Sequence, residues 1–300
     1  MNIAIVGAGS LGLLFASYLS SAFSVTLYTR TSGQAEEIRR NGLLMKTTST
    51  ITKTELSVYP ISEWQGTEEL TIVAVKGYQL ESIIQKINKL ENPETALLFI
   101  QNGMSHLEIL STLQVNTILI GSVEHGAVKE HQNTVFHNGK GDINIAVYKG
   151  DGTLLRRFVS LAPLNFPITI KDNYYDMLLN KLIANSVINP LTAILRVNNG
   201  ELISNAFYFK ALTALFSEIS SILNLTNPDE HLKNIIKICK NTADNRSSML
   251  KDIERNNRTE IDSILGFILA EAKRNGKKAI VAEGYYFLIK GIEKDRGDSD

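Results

Sequence analysis

The stretch IAIVGAGSLGLLFASYL, residues 3–19, limits the fold more than any other part of this chain. A short β-forming run leads straight into three glycines, Gly7, Gly9 and Gly12, and then into a helical run. In a G-x-G-x-x-G turn each glycine has its own task. The first allows the tight turn, the second lets the backbone approach a pyrophosphate, and the third lets the helix pack closely on the strand. Phosphate would then sit at a helix N-terminus, where free N–H groups and the helix dipole favour negative charge. The expected dinucleotide loop is therefore Gly7, Ala8, Gly9, Ser10, Leu11 and Gly12.

The first half continues this alternation. β-rich runs SVTLY, LTIVAV and ALLFI are separated by helical stretches near 34–41 and 82–90, the pattern of parallel strands joined by crossover helices. TILIG, TVFHNG, INIAVY and PITI read as later strands, expected as a partly antiparallel edge of the same sheet. From about Lys171 the alternation gives way to helical periodicity over 174–195, 205–223, 231–239 and 259–275. The expected architecture is α/β: an N-terminal Rossmann-type doubly wound sheet, residues 1–168, and a C-terminal all-helical domain, residues 169–300. The tail KDRGDSD reads as a frayed terminus.

At 300 residues the chain exceeds the size at which one core usually stops growing, which agrees with two domains. Thirty-one basic and 31 acidic residues leave no net charge, so no broad basic field exists for nucleic acid or anionic lipid. Any anion must be held locally. The single cysteine, Cys239, forms no internal disulfide and reads as a small core residue, which fits a reducing cytoplasm. No basic leader precedes the first strand, and no uninterrupted apolar run reaches the ~18 residues of a membrane span.

The second strand ends in YTR, where an NAD site commonly places an acidic residue against the ribose 2′-hydroxyl. Arg30 stands there instead. A guanidinium pairs with a 2′-phosphate, which favours NADPH/NADP+, with Thr29, Thr31 and Ser32 as further donors; an Arg30 that only faces water is the alternative. Polar residues also follow two buried strands, in VAVKGYQ (Lys76, Gln79) and LLFIQNGM (Gln101, Asn102, Gly103), where open α/β sheets bind ligands.

In NKLIANSVINPLTAIL, Lys181, Asn185 and Asn189 recur every four residues. At ~100° per residue they form one polar stripe on a helix that is otherwise apolar. Pro190 should kink or end that helix near Asn189. Hydride arriving at a carbonyl carbon leaves negative charge on oxygen, so a reductase needs a cation and a proton there. Lys181 can supply both. Burial would lower its pKa and Glu260 would raise it, and the sequence leaves that balance open. The amides of Asn185 and Asn189 suit a substrate bearing hydroxyl, ketone and carboxylate groups without adding charge.

GAGSLG, VAVKGYQ, QNGM, NKLIANSVINPLTAI and NRSSMLKDIERNNRTEID, in this order and spacing, resemble ketopantoate reductase (2-dehydropantoate 2-reductase) over nearly the whole chain. The resemblance implies a Rossmann domain joined to a helical domain, and reduction of the C2 ketone of ketopantoate to pantoate by NADPH, a step towards pantothenate and coenzyme A. It implies Lys181 and Glu260 as catalytic residues, the first as proton donor and the second orienting substrate. Asn102, Asn185, Asn189 and Ser248 would bind substrate. Gly7, Ala8, Gly9, Ser10, Leu11, Gly12, Arg30, Lys76, Gln79 and Asn102 would surround the cofactor. The partner is then a small 2-oxoacid, with neither nucleic acid nor membrane involved, and the protein a cytoplasmic monomer or homodimer.

Two alternatives remain: an NADPH-dependent reductase of a different 2-oxoacid, and a non-catalytic NADP(H) sensor. His125, His131 and His137 match no zinc spacing, so no metal is expected. Relatives commonly have a proline-containing loop before the last helix, where this chain has KKAIVAEG; cofactor contacts from Glu283 are in doubt for that reason.

Overall fold

The computed structural model describes residues 1–90 and 95–294. Most of the tail read as frayed, 295–300, lies outside the described residues. The chain forms two compact units, one of Met1–Gln101 with Glu108–Met177, the other of Asn102–Leu107 with the chain from Leu178 on.

The first unit runs β1 (Asn2–Val6), α1 (Ser10–Leu19), β2 (Ser24–Thr29), α2 (Ser32–Asn41), β3 (Leu43–Lys46), β4 (Ile51–Thr54), β5 (Ser57–Pro60), β6 (Leu70–Val73), α3 (Leu80–Ile87) and β7 (Ala96–Phe99). It continues through α4 (His106–Leu110), whose first residues belong to the second unit, then β8 (Ile118–Val123), β9 (Gly126–His131), β10 (Thr134–Gly139), β11 (Ile143–Lys149), α5 (Thr153–Leu161) and β12 (Ile168–Lys171).

Eight strands form the main sheet in the order β12-β11-β8-β7-β6-β1-β2-β5, all parallel except the β8–β11 pair. Strands β1, β2 and β5 wind one way and β6, β7 and β8 the other. The topological switch therefore lies between β1 and β6, where doubly wound sheets bind ligands. TVFHNG does not extend this sheet. As β10 it joins a second, four-stranded sheet of order β4-β3-β10-β9.

Helix α1 contacts β1 and β2 of the main sheet and β3, β9 and β10 of the small one. That arrangement explains why every residue from Gly12 to Leu19 is buried. The short strands β3 and β4 carry half-polar or polar patterns, LLMK and ITKT, and β4 is mostly exposed. Strands with so little apolar alternation carry no sequence signal of their own.

The second unit is helical: α6 (Tyr174–Leu195, from Leu178 on), α7 (Glu201–Ser204), α8 (Ala206–Leu223), α9 (Pro228–Asn241), α10 (Ser248–Glu254), α11 (Ile261–Arg274) and α12 (Ile280–Lys294). Helix α6 runs through Pro190 instead of ending there. The proline leaves the Ser186 carbonyl without its i+4 N–H, a defect of ~3 kcal/mol in an ordinary helix. Leu182, Ile183, Val187, Ile188 and Leu191 around it are all at most 4% exposed. Burial of each contributes about 1.5–3 kcal/mol, so packing outweighs the break.

By length and apolarity alone α6 and α8 could cross a bilayer, although 67% of the α6 window is buried within the fold. Helix α12 starts without the proline-containing loop. The carboxylate of Glu218 accepts the N–H groups of Val281 and Ala282 at 3.1 and 2.8 Å, supplying the cap at that helix start. Glu283 is exposed in the first turn of α12.

Candidate active site

At the switch point the glycine loop is held by its own geometry. Gly7 sits at φ +108° and its N–H donates to the Tyr28 carbonyl at 2.9 Å, tying the loop to the end of β2. A Cβ on Gly12 would lie 1.7 Å from the Gly7 carbonyl oxygen. Only glycine permits that approach of helix to loop. A Cβ on Gly9 would meet nothing within 4 Å, so the loop backbone here faces open space. Gly9 caps α1 with no side-chain hydrogen bond, and Ser10 and Leu11 open the helix. An uncapped start of a ten-residue helix beside open space fits a pyrophosphate.

Among the surrounding side chains, Gln34 is one that the sequence did not single out. The buried Gln34 amide donates to the Ala8 carbonyl at 3.0 Å and to the Gln132 carbonyl at 2.8 Å. Gln101, 4% exposed, donates to the carbonyls of Val73 at 2.8 Å and Val75 at 3.1 Å, joining the ends of β6 and β7. Gln79 turns back on its own segment, its Oε1 accepting the Lys76 N–H at 3.3 Å. Arg30 is exposed at the end of β2, and no ion pair to it is found among the described residues. Thr29 is not the donor expected from sequence, because its buried hydroxyl is taken by the Thr31 carbonyl at 2.8 Å.

In the helical unit, Lys181 and Asn185 are half-buried and Asn189 is 5% exposed. Lys181 and Asn185 are the only positions between 181 and 190 that escape burial, so two of the three stripe residues are accessible and Asn189 lies buried behind them. Asn189 Nδ2 lies 3.5 Å from Ser248 Oγ, at the limit of a hydrogen bond. Ser248 is exposed, whereas Ser247 is buried and caps α10, accepting the Leu250 N–H at 3.1 Å. Thr192 bridges the two helices, donating to the Ile188 carbonyl at 2.8 Å and hydrogen-bonding Ser247 Oγ at 2.8 Å.

Asn102 and Glu260, 158 positions apart, meet directly: the amide of Asn102 donates to Glu260 Oε2 at 2.8 Å. Glu260 is 7% exposed at the N-cap of α11. Its neighbours are pinned from α12. Glu293 accepts the Thr259 N–H at 2.7 Å, and Tyr286 donates to Asp262 at 2.7 Å.

The loop bearing Asn102 packs against the same helix start. Gly103 sits at φ +81°, and a Cβ there would lie 2.0 Å from the Ser263 carbonyl oxygen. His106, 4% exposed with both ring nitrogens unpartnered, has its pKa lowered to about 4 by burial, against the opposing pull of Glu260. Gly103 is part of the QNG turn that the sequence singles out, whereas His106 carries no such signal of its own.

The three histidines of the hairpin region are not gathered together. His137 lies 3.0 Å from the Tyr18 hydroxyl at Nδ1, and 2.9 Å from His125 and 3.0 Å from the Gly139 carbonyl at Nε2. His131 stands apart, opposite Thr134 in the β9–β10 ladder. Among the described residues no group of three His, Cys, Asp or Glu side chains could hold a metal ion.

Both parts of the chain match known families. Residues 3–150 match the family model "Ketopantoate reductase PanE/ApbA", and residues 173–293 match its "C terminal" counterpart. The 2-dehydropantoate 2-reductase of Bacillus subtilis (strain 168) is 35% identical over 98% of each chain. A crystal structure described as a probable 2-dehydropantoate 2-reductase from Bacillus subtilis superposes with a TM-score of 0.89, covering 97% of this chain and 100% of that one at 35% identity. D-Mandelate dehydrogenase in complex with NADH, 25% identical, superposes with a TM-score of 0.86 over 98% of this chain and 99% of its own. A glycine loop at the switch point, a lysine–asparagine stripe and an Asn–Glu pair at a helix start thus occur together in a chain that belongs to the ketopantoate reductase family.

Proposed function

We propose that the protein catalyses reduction of 2-dehydropantoate to pantoate with NADPH, in the cytoplasm. The observation that carries the chemistry is the polar stripe Lys181–Asn185–Asn189, with Lys181 and Asn185 half-buried and Asn189 buried, on a stretch of α6 that is otherwise buried from Leu182 to Pro190, in a chain of this family. A nicotinamide dinucleotide is the cofactor; when bound it supplies hydride to the ketone carbon. The residues of the chain do the rest. The glycine loop receives the pyrophosphate, and Arg30 receives the 2′-phosphate. Lys76 and Gln79 line the cofactor side.

Lys181 donates the proton to the ketone oxygen, where negative charge develops. Its ammonium is the one cation of the stripe, and Asn185 and Asn189 orient the hydroxyl and carboxylate without competing charge. Ser248, exposed beside Asn189, adds a donor to the carboxylate. Glu260 accepts from Asn102 through one oxygen, a bond that fixes the carboxylate for the substrate hydroxyl. Asn102 therefore acts with the substrate set as well as the cofactor set.

The test is steady-state NADPH oxidation with 2-dehydropantoate by wild type and Lys181→Ala. Turnover by the wild type and its collapse in a folded, NADPH-binding Lys181→Ala support the reading. Unchanged turnover in the variant removes Lys181 as donor.

A further inference from the structure

We infer that Glu293, on α12, is a positioning residue for the 2-oxoacid: it holds the stretch of backbone that carries Glu260 and so sets where that carboxylate stands. This rests on the role given to Glu260 above and adds a residue from the last helix. Glu260 is the N-cap of α11, a position whose side chain commonly accepts an N–H from the first turn of its own helix. Here Thr259 makes that kind of bond. Its Oγ1 accepts the Ile261 N–H at 3.2 Å, while the carboxylate of Glu260 accepts from Asn102 at 2.8 Å. A side chain turned away from its own helix end is only as well placed as the backbone beneath it.

That backbone is gripped on both sides of Glu260. Before it, Glu293 Oε1 accepts the Thr259 N–H at 2.7 Å. After it, Asp262 accepts from Tyr286 at 2.7 Å, from Lys290 at 3.3 Å and from Arg258 at 3.2 Å. Tyr286, Lys290 and Glu293 stand at i, i+4 and i+7, so one face of α12 makes the grip. Lys290 joins its two ends, because its ammonium also pairs with Glu293 Oε2 at 3.2 Å. Glu293 is 9% exposed and Thr259 1%. A buried N–H that loses its acceptor is costly, so without the Glu293 carboxylate residue 259 must shift towards another partner and carry Glu260 with it. A misplacement of ~1 Å at a group that orients substrate can cost about a hundredfold. A carboxylate that only staples α12 to α11 is the competing arrangement; its loss would lower stability and leave substrate binding by the folded protein unchanged.

The two arrangements separate in a double-mutant cycle of Glu293→Ala and Glu260→Ala on the full chain. The quantity read is the dissociation constant of 2-dehydropantoate for the NADP+-loaded protein, which cannot turn over, by calorimetry or, where binding is weak, by NMR titration. The expected result is that Glu293→Ala weakens 2-dehydropantoate about tenfold or more while NADP+ is held within about twofold. Glu293→Gln should restore most of the loss, since its amide oxygen still accepts the Thr259 N–H. In the Glu260→Ala background the same Glu293→Ala change should alter the constant by less than about twofold, because the group it positions is already gone. An unchanged 2-dehydropantoate affinity in Glu293→Ala, or an equal loss with Glu260 present and absent, overturns the inference. Tyr286→Phe, which removes only the hydroxyl bonded to Asp262, takes the place of Glu293→Ala in the cycle if that variant melts early.

The parent reading fails separately. A wild type whose NADP+ complex binds no 2-dehydropantoate, or a Glu260→Ala protein that binds it as tightly as wild type, removes the role of Glu260 and the inference with it. Weakened binding in Glu260→Ala beside wild-type binding in Glu293→Ala removes Glu293 alone.

Discussion

Lys181 illustrates how much one side chain is asked to do. It is the cation on the polar stripe of α6, and the surrounding positions 182–184 and 186–188 are all buried, so its removal should cost chemistry with little repacking. Loss of a positioned acid typically costs 10²–10⁴-fold. Lys181→Ala should therefore lower kcat by about that factor while the NADPH dissociation constant, followed by nucleotide fluorescence, stays where it was.

His106 makes a different prediction. Burial holds its imidazole neutral in the folded protein, with a pKa of about 4, whereas the unfolded chain protonates near the ordinary value of 6.5. Between those values the unfolded state binds the extra proton, so stability is full above pH ~6.5 and falls as the pH drops towards 4. The contribution at the acid end is on the order of 3 kcal/mol. Urea unfolding of wild type and His106→Asn at pH 7 and pH 5 should show a smaller pH dependence in the variant; equal pH dependence would contradict the buried neutral imidazole.

Elements decide which residues meet. Gly103 holds a left-handed conformation with its α-carbon against the start of α11, and Asn102 beside it bonds Glu260. Gly103→Ala must move the loop, at a cost of about 1–3 kcal/mol for the backbone conformation alone. Its melting temperature should fall and its KM for the 2-oxoacid rise; a variant with wild-type values of both would show that the Asn102–Glu260 pair does not depend on this packing.

The elements also show what a sequence can carry. Strands β1, β6 and β7 are fully or almost fully buried apolar runs and stand out by composition, as does the glycine turn. Strands β3, β4 and β9 are polar on one side or both, and their pairing is settled by α1 against β3 and β9 and by the strands of the small sheet, while β5 is placed by β2 and α2; no local pattern records these contacts. The same holds for Pro190, where a local rule for ending helices yields to apolar burial around it. Lys181, Asn185 and Asn189 were visible from spacing. That Asn102 reaches Glu260 depends on tertiary structure alone.

At the scale of the molecule the proposed roles fall in two different units. The sheet unit holds the glycine loop and Arg30, and the helical unit holds the lysine stripe and the Asn102–Glu260 pair. Substitutions should separate accordingly. Arg30→Ala should reduce the preference for NADPH over NADH by about tenfold or more while leaving kcat at saturating cofactor close to wild type. Lys181→Ala should do the reverse. A comparison of kcat/KM for the two cofactors in each variant checks this division; an Arg30→Ala protein with undiminished NADPH preference would break it.

The most direct test of the whole account is NADPH consumption by the wild-type protein across a panel of 2-oxoacids that includes 2-dehydropantoate. The account predicts the highest kcat/KM on 2-dehydropantoate. Comparable rates on several other 2-oxoacids, with none on 2-dehydropantoate, would contradict it.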